Sequence, residues 1–118
     1  MASSEMLALT PLIPAGASLA ADLRFYTEQL GFTVTWQAGN MAGIRRRAVE
    51  FNLIENTNRE WADNASFSIG VDDLDALYGE YKDCTAKVGP LEMKFWGRRE
   101  FHLIAPSGVC YQFYQRAS

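Results

Sequence analysis

The same order of predicted elements occurs twice along the chain, and this repeat restricts the possible folds more than any other feature. Each half is predicted to run strand, helix, strand, strand, strand, with a period of about 55 residues. In the first half, Ser18 is suited to cap the helix and Gly31 to end it. The apolar residues of this helix recur on one face: Leu19, Leu23, Tyr26 and Leu30. A repeat of element order is typical of a duplicated module.

The remaining elements of the first half are short strands. An apolar run at residues 6–13 predicts the first strand, and Pro11 within it favours an edge position or a bulge because proline cannot donate to a ladder. Three further strands are predicted at residues 33–37, 41–46 and 48–54. Gly39 and Asn40 predict a hairpin turn between two of them. Residues 55–64 are polar and aperiodic, and they predict a loop that joins the halves.

The second half begins with a predicted strand at residues 66–71. Residues 72–73 are two aspartates that can cap a helix running to about residue 83. Its apolar face is predicted to contain Leu74, Leu77, Tyr78 and Tyr81. Three strands follow at residues 87–93, 99–105 and 109–115. The two halves therefore predict an α+β fold with a helix against each set of strands.

Length and charge narrow the function classes. We expect one domain over residues 1–118, with modules at about 5–55 and 65–116. A formal net charge of −3 disfavours nucleic-acid or anionic-membrane partners and permits a cationic ligand. No apolar run reaches the roughly 18 residues of a membrane span, and the N terminus lacks a signal-peptide layout, so we expect a cytoplasmic protein. Cys84 and Cys110 are predicted to be free thiols, because there is no CxxC pair.

The C-terminal hairpin brings a mixed set of side chains to one face. Residues 106–108 predict a three-residue turn, which pairs Glu100 with Tyr114 and His102 with Gln112. Because side chains alternate, this mixed face is predicted to contain Glu100, His102, Ile104, Cys110, Gln112 and Tyr114. The opposite face is predicted to be core and contains Phe101, Leu103, Tyr111 and Phe113. The mixed face fits either a ligand-binding cup or a partly solvated sheet face.

Three segments carry a family resemblance. They are DLRFYTEQLGF at residues 22–32, VDDLDALY at residues 71–78, and the stretch from Trp96 to Phe113. In this order and spacing they resemble the vicinal-oxygen-chelate superfamily of glyoxalases, bleomycin-resistance proteins and dioxygenases, with the resistance proteins as the best match. The resemblance implies two βαβββ modules with curled mixed sheets, and a homodimer that exchanges N-terminal strands. It also implies clefts at the dimer interface that hold a flat cationic antibiotic between aromatic side chains.

The resemblance also proposes site residues. Trp36 and Trp96 match positions where the resistance proteins place stacking aromatic side chains, and Met41 matches a position where another aromatic is common. The alternative is that these residues belong to the core or to a subunit interface. The expected ligand-binding residues are Trp36, Met41, Trp96, Glu100, His102, Gln112 and Tyr114. Trp61 lies in the linker, where a lid over the cleft and a plain surface position are both open.

The metal-binding positions of the superfamily's enzymes match Pro11, Ser66 and Gln112 here. Proline has no donor atom, serine is a poor ligand, and a single neutral amide cannot hold a divalent cation tightly. We therefore expect no metal, no other cofactor, and no glyoxalase or dioxygenase chemistry.

Two other groups of residues invite a functional interpretation. Arg45, Arg46 and Arg47 resemble an anion site, but they fall at a predicted hairpin and we interpret them as a solvated turn. Cys110 near His102 is the one candidate nucleophile, and nothing in the sequence supplies an oxyanion site for it.

The leading hypothesis is a metal-free homodimer that sequesters a planar aromatic antibiotic of the bleomycin or quinoxaline-peptide kind. Such binding would give drug resistance or self-protection. One alternative is a metal-independent lyase or isomerase of the same fold that uses His102 or Glu100 as acid or base. Another is a small-molecule sensor or accessory subunit.

Overall fold

The structure, a computed structural model, describes residues 2–116 and contains two mixed sheets. The strands of the first sheet are β1 (Leu12–Pro14), β2 (Thr33–Ala38), β3 (Met41–Arg46) and β4 (Val49–Ile54). Their spatial order is β1-β4-β3-β2, and β1 runs parallel to β4 while the other pairs are antiparallel.

The second sheet repeats this arrangement. Its strands are β5 (Ser66–Val71), β6 (Lys87–Val88), β7 (Glu92–Met93), β8 (Arg99–Ile104) and β9 (Cys110–Gln115). Their order is β5-β9-β8-β6, with β7 also paired to β8, and β5 runs parallel to β9. In both sheets the first strand of the module pairs in parallel with the last, so the two modules have the same topology, as the repeated element order predicts.

The predicted helices are present, and their caps are the predicted ones. Helix α1 (Leu19–Arg24) continues as a π-helical segment (Phe25–Gln29), and the Ser18 hydroxyl accepts a hydrogen bond from the Ala21 amide at 3.2 Å. Gly31 follows with a φ of +79°, a backbone conformation that favours glycine. In the second module, the Asp73 carboxylate accepts from the Ala76 amide at the start of the helix over Leu74–Tyr81. Both helices therefore start where short polar side chains satisfy exposed amides.

The prediction for the first strand is wrong in its extent. Strand β1 begins only at Leu12, and the arm formed by residues 2–11 has no regular structure. Three large apolar side chains of this arm are exposed: Met6, Leu7 and Leu9. A strand needs a hydrogen-bonded neighbour, and within one chain the parallel pairing with β4 begins at Leu12.

Two other segments also differ from the prediction. The predicted linker loop contains a helix, α2 (Arg59–Asn64), because the Asn58 side chain accepts from the amides of Glu60 and Trp61. Six residues are too few to show a helical period in the sequence. The strand predicted at residues 87–93 is divided into β6 and β7, which Gly89, Pro90 and Leu91 separate. The helix in the second module, named α3 (Leu74–Tyr81), ends slightly before the predicted position.

Aromatic rings from both sheets form the centre of one core. The Phe51 and Tyr111 rings stack with centroids 5.9 Å apart, and Tyr26 in the π-helical segment contacts both rings edge-on. The Tyr26 and Tyr111 hydroxyls form a hydrogen bond with each other. The two modules therefore share a single hydrophobic interior, which leaves the opposite faces of the sheets for other contacts.

The interpretation of the arginine run as a solvated turn is wrong for Arg46. Its guanidinium donates to the Leu30 carbonyl at 2.9 Å, to the Tyr81 hydroxyl at 2.8 Å and to Glu80 at 2.7 Å. Strand alternation places Arg46 on the same side as Ala42 and Ile44, which are buried, so its side chain crosses from the first module to α3. Within residues 2–116, no helix has the length and apolar character that crossing a membrane requires.

Candidate functional site

The C-terminal hairpin has the predicted register. Glu100 pairs with Tyr114, His102 with Gln112, and Ile104 with Cys110. The four residues predicted to be core are all buried: Phe101, Leu103, Tyr111 and Phe113. The parallel strand β5 adds small residues to the opposite side. We call that side the polar face; it contains Ser66, Ser68, Gly70, Glu100, His102, Cys110, Gln112 and Tyr114.

Glu100 is the centre of the polar face and is fully buried, with 0% of its surface exposed. Its carboxylate accepts hydrogen bonds from Arg98 Nε at 2.7 Å, from His102 Nε2 at 2.7 Å and from Trp96 Nε1 at 3.3 Å. Burial raises the pKa of Glu100, but the hydrogen bonds from His102, Arg98 and Trp96 more than offset it, so the pKa lies below its ordinary value. The group is therefore a carboxylate at neutral pH.

Trp96 occupies the rim of the polar face and remains 49% exposed. Its indole lies nearly parallel to the His102 ring, with the centroids 6.3 Å apart and an interplanar angle of 16°. The hydrogen bond to Glu100 fixes the edge of the same indole. The neighbouring Phe95 is almost fully exposed. The Phe95 ring packs against the indole edge-on at 4.7 Å, and a half-exposed, oriented indole is suited to contact a planar ligand.

Arg98 also contacts the polar face, and it is not among the residues predicted from the sequence. Its guanidinium carbon lies 3.9 Å from the centroid of the Tyr114 ring, and its Nη2 donates to Ser68 Oγ at 3.3 Å. Tyr114 itself packs against Gly70, where an added Cβ would lie 2.9 Å from the ring. The available signal was spacing, because Arg98 precedes Glu100 by two residues and so points to the same side of an extended chain.

Gln112 has partners for both ends of its amide. Its Nε2 donates to Ser66 Oγ at 3.0 Å, and its Oε1 accepts from Ser68 Oγ at 2.9 Å. Ser66 and Gln112, two of the positions matched to metal ligands, are thus adjacent, whereas Pro11 precedes β1 in the other sheet. Among the residues that the structure describes, no cluster of three His, Cys, Asp or Glu side chains is placed to hold a metal ion.

Both cysteines are free thiols, as predicted. Burial raises the pKa of the Cys110 thiol, and a hydrogen bond with Ser66 only partly opposes this shift. A thiol with a raised pKa carries little thiolate at neutral pH, which makes Cys110 a poor nucleophile.

Trp36 and Met41 lie on the first sheet, apart from the other predicted site residues. Trp36 is 41% exposed and pairs with Gly43, where an added Cβ would lie 2.2 Å from the indole nitrogen. A β-bulge between Val34 and Trp36 brings the indole to this position. Met41 alternates with Ala42 and so points to the same side as Gly43. The predicted site residues of one chain are therefore divided between the two sheets.

Arg99 and Trp61 lie outside the polar face. Arg99 forms an exposed ion pair with Asp75 on α3, at 2.8 Å, and points away from the polar face. Trp61 lies half-buried on α2.

The match to known proteins agrees with this topology. Residues 15–113 match the model of the Glyoxalase/Bleomycin resistance protein/Dioxygenase superfamily. The chain belongs to this superfamily. No curated protein sequence matches it at a significant level.

Solved structures of bleomycin-binding proteins are similar to the chain over nearly its whole length. The bleomycin-binding protein of Streptomyces verticillus, solved with copper(II)-bleomycin, is 26% identical, with a TM-score of 0.86 over 98% of this chain and 100% of that one. A second bleomycin-binding protein, solved with bleomycin, has a TM-score of 0.83 at 20% identity over 95% of this chain and 100% of that chain. A bleomycin resistance determinant of the transposon Tn5 reaches 0.82 at 20% identity, over 96% and 100% of the two chains. The last two similarities establish the fold.

Proposed function

We propose that this protein binds a planar aromatic antibiotic, of the bleomycin or quinoxaline-peptide kind, and sequesters it unchanged. The observation that carries the proposal is the half-exposed Trp96 indole, which a buried Glu100 carboxylate orients at the edge of a polar sheet face. The similarity to the Streptomyces verticillus bleomycin-binding protein over the full chain supports the same class of ligand. The negative net charge permits a cationic drug.

The ligand-binding residues of this proposal are the predicted ones together with Arg98. Trp96 stacks on the drug from the second sheet, while Trp36 and Met41 contact it from the first sheet. Since these two groups of residues belong to different sheets, a second copy of the chain completes each cleft. His102, Gln112 and Tyr114 form the floor beside Glu100.

The exposed arm supports this dimer. Met6, Leu7 and Leu9 are exposed on a segment without a pairing partner in its own chain. In the proposed dimer, the arm pairs with a strand of the other subunit and covers its apolar side chains, as in an exchange of N-terminal strands. Light scattering should give twice the chain mass at micromolar concentration. A stable monomer that still binds drug would contradict the interface cleft.

One experiment distinguishes binding of the drug from its chemical conversion. Calorimetric titration with bleomycin, and then with a quinoxaline peptide, should show saturable binding of at least one of them, and mass spectrometry should recover the drug with its mass unchanged. The enzymatic alternative requires Glu100 or His102 to be free to exchange protons, but the Glu100 carboxylate already accepts from three donors. An altered drug mass would support that alternative, and no binding of either drug would overturn the proposal.

A further inference from the structure

A cavity lies where both modules meet the linker, at the turn of the hairpin whose strands carry the polar face. It has a volume of about 390 Å³. Three parts of the chain line it: α1 with the turn before it, α2 with the turn before it, and the hairpin turn between β8 and β9. We call it the junction cavity. Its apolar wall is formed by Ala15, Ala17, Ala21, Ala62 and Pro106.

Asp22 lines the junction cavity and has no partner for its charge. It is only 4% exposed, and its Oδ2 is buried without a hydrogen bond. The Tyr26 and Tyr111 hydroxyls bond to each other, and neither forms a hydrogen bond with Asp22 Oδ2. Burial therefore raises the pKa of Asp22 to about 7. A buried carboxyl without a donor indicates that something else supplies one.

Ser107 also lines this cavity. It is also 4% exposed, and its Oγ is buried without a hydrogen-bond partner. Gly16 packs against it, and a Cβ added there would lie 3.5 Å from the Ser107 Cβ. The two orphaned polar side chains thus belong to different modules and line one cavity.

The cationic side chain at the cavity is already engaged. Arg59 donates from Nη1 to the Ser107 carbonyl at 2.9 Å, and its Nη2 lies 3.2 Å from the Asp63 carboxylate. No donor among the described hydrogen bonds reaches Asp22 Oδ2. Asp22 is therefore an unpaired acceptor at this cavity, and an anionic ligand would meet its carboxyl unfavourably.

We propose that the junction cavity binds a small organic cation, a primary alkylammonium group that donates to Asp22 and to the Ser107 hydroxyl. An ammonium group has three donors and no acceptor, which matches two unpaired oxygens. The alanine and proline wall accommodates a short alkyl chain, and the volume lies within the range of small-molecule pockets. This site is independent of the proposed drug cleft, since its residues lie outside the polar face.

The test uses n-butylammonium chloride as the probe, followed by NMR of the backbone amides and of the Asp22 carboxyl carbon. At pH 8, saturable shifts are expected around Asp22 and Ser107, and the carboxyl should ionise at lower pH when the probe is present. Because hydrogen bonds to charged groups are strong, Asp22→Asn should weaken binding about tenfold or more. Ser107→Ala should weaken it less. The exposed-carboxyl control, Asp83→Asn, should bind like the parent.

Three results would overturn the proposal. Absence of saturable binding would mean that the cavity holds only water, and equal binding of n-butanol would mean that charge plays no part. A saturable response to potassium chloride would identify an inorganic cation instead. Bleomycin titration of the same Asp22→Asn variant distinguishes the two sites, because drug binding at the polar face should be unchanged.

Discussion

Glu100 and Asp22 are both buried carboxyl groups, but their surroundings have opposite consequences. Glu100 accepts from three donors, and its pKa lies below the ordinary value; Asp22 Oδ2 has none, and burial raises the Asp22 pKa to about 7. Burial alone does not decide whether a carboxyl group is charged. The hydrogen bonds that the charged form accepts can stabilise it by more than the free-energy cost of desolvation. The carboxylate of the polar face thus finds hydrogen-bond donors within the chain, whereas Asp22 Oδ2 at the junction cavity does not.

The largest expected effect concerns Asp22 and pH. In the unfolded chain this carboxyl loses its proton near its ordinary pKa, whereas in the folded protein it does so near pH 7. As the pH rises from about 4 to about 7, the free energy of unfolding therefore decreases. The total decrease over this range is up to about 4 kcal/mol. Asp22→Asn should remove this dependence, so that the variant gains stability relative to the parent across that range.

Urea denaturation between pH 4 and pH 8 measures this difference in the free energy of unfolding. Asp83→Asn is the matched control and should follow the parent at every pH, because Asp83 is exposed. A difference between Asp22→Asn and the parent that stays constant with pH would show that Asp22 titrates normally.

The next effect concerns Glu100. Replacement by alanine leaves Arg98 without its carboxylate partner and Trp96 without its acceptor, and we expect a loss of about 3 kcal/mol in the free energy of unfolding. The pKa of Glu100 is lowered in the folded protein, so its carboxylate stabilises the parent at pH values above the ordinary pKa of a glutamate. This stabilisation is lost as the pH falls through the pKa of Glu100 in the folded protein. Glu92→Ala on the neighbouring β7 is the control, since Glu92 is exposed.

Denaturation of both variants at pH 7 provides the test. If Glu92→Ala and Glu100→Ala lose equal stability, the hydrogen bonds to Glu100 contribute nothing beyond a generic charge effect, and the contrast with Asp22 fails.

A smaller effect is expected for Trp96, in drug binding and not in folding. Trp96→Ala should weaken the complex with the antibiotic by about 2 kcal/mol, roughly thirtyfold, through lost stacking and buried area. The fold should survive, because the indole is half-exposed and the buried face of the hairpin is intact. Calorimetry with bleomycin measures the change, and Trp61→Ala on α2 is the control. Unfolding of Trp96→Ala, or unchanged affinity, would place Trp96 outside the proposed site.

The smallest expected effect is that of a chelator. EDTA should leave drug binding unchanged, and elemental analysis should find no stoichiometric divalent metal, because Gln112 and Ser66 bond to each other and neither is charged. About one zinc, iron or manganese per chain would contradict this expectation. It would also reopen the enzymatic alternative.

Side chains alternate between the two faces of a strand, and this alternation made the faces of the C-terminal hairpin predictable. A three-residue turn fixes the register, and a period of two then assigns each side chain to a face, so the residue pattern was enough to place Glu100, His102 and Gln112 together. The hydrogen-bond partners of Glu100 were harder to predict from the sequence. Arg98 lies outside the predicted strand, and its position over the Tyr114 ring depends on Gly70, which belongs to a strand 28 residues earlier in the chain.

The sequence by itself determined the local elements, their order and the face that each side chain takes, because caps, turns and periodicity act between near neighbours. Only the tertiary structure decided which distant groups meet. Arg46 crosses to Glu80, Trp36 is separated from Trp96 by the division into two sheets, and Asp22 and Ser107 converge on one cavity. The charge state of a buried carboxyl depends on such long-range contacts, and no spacing within a helix or strand encodes them.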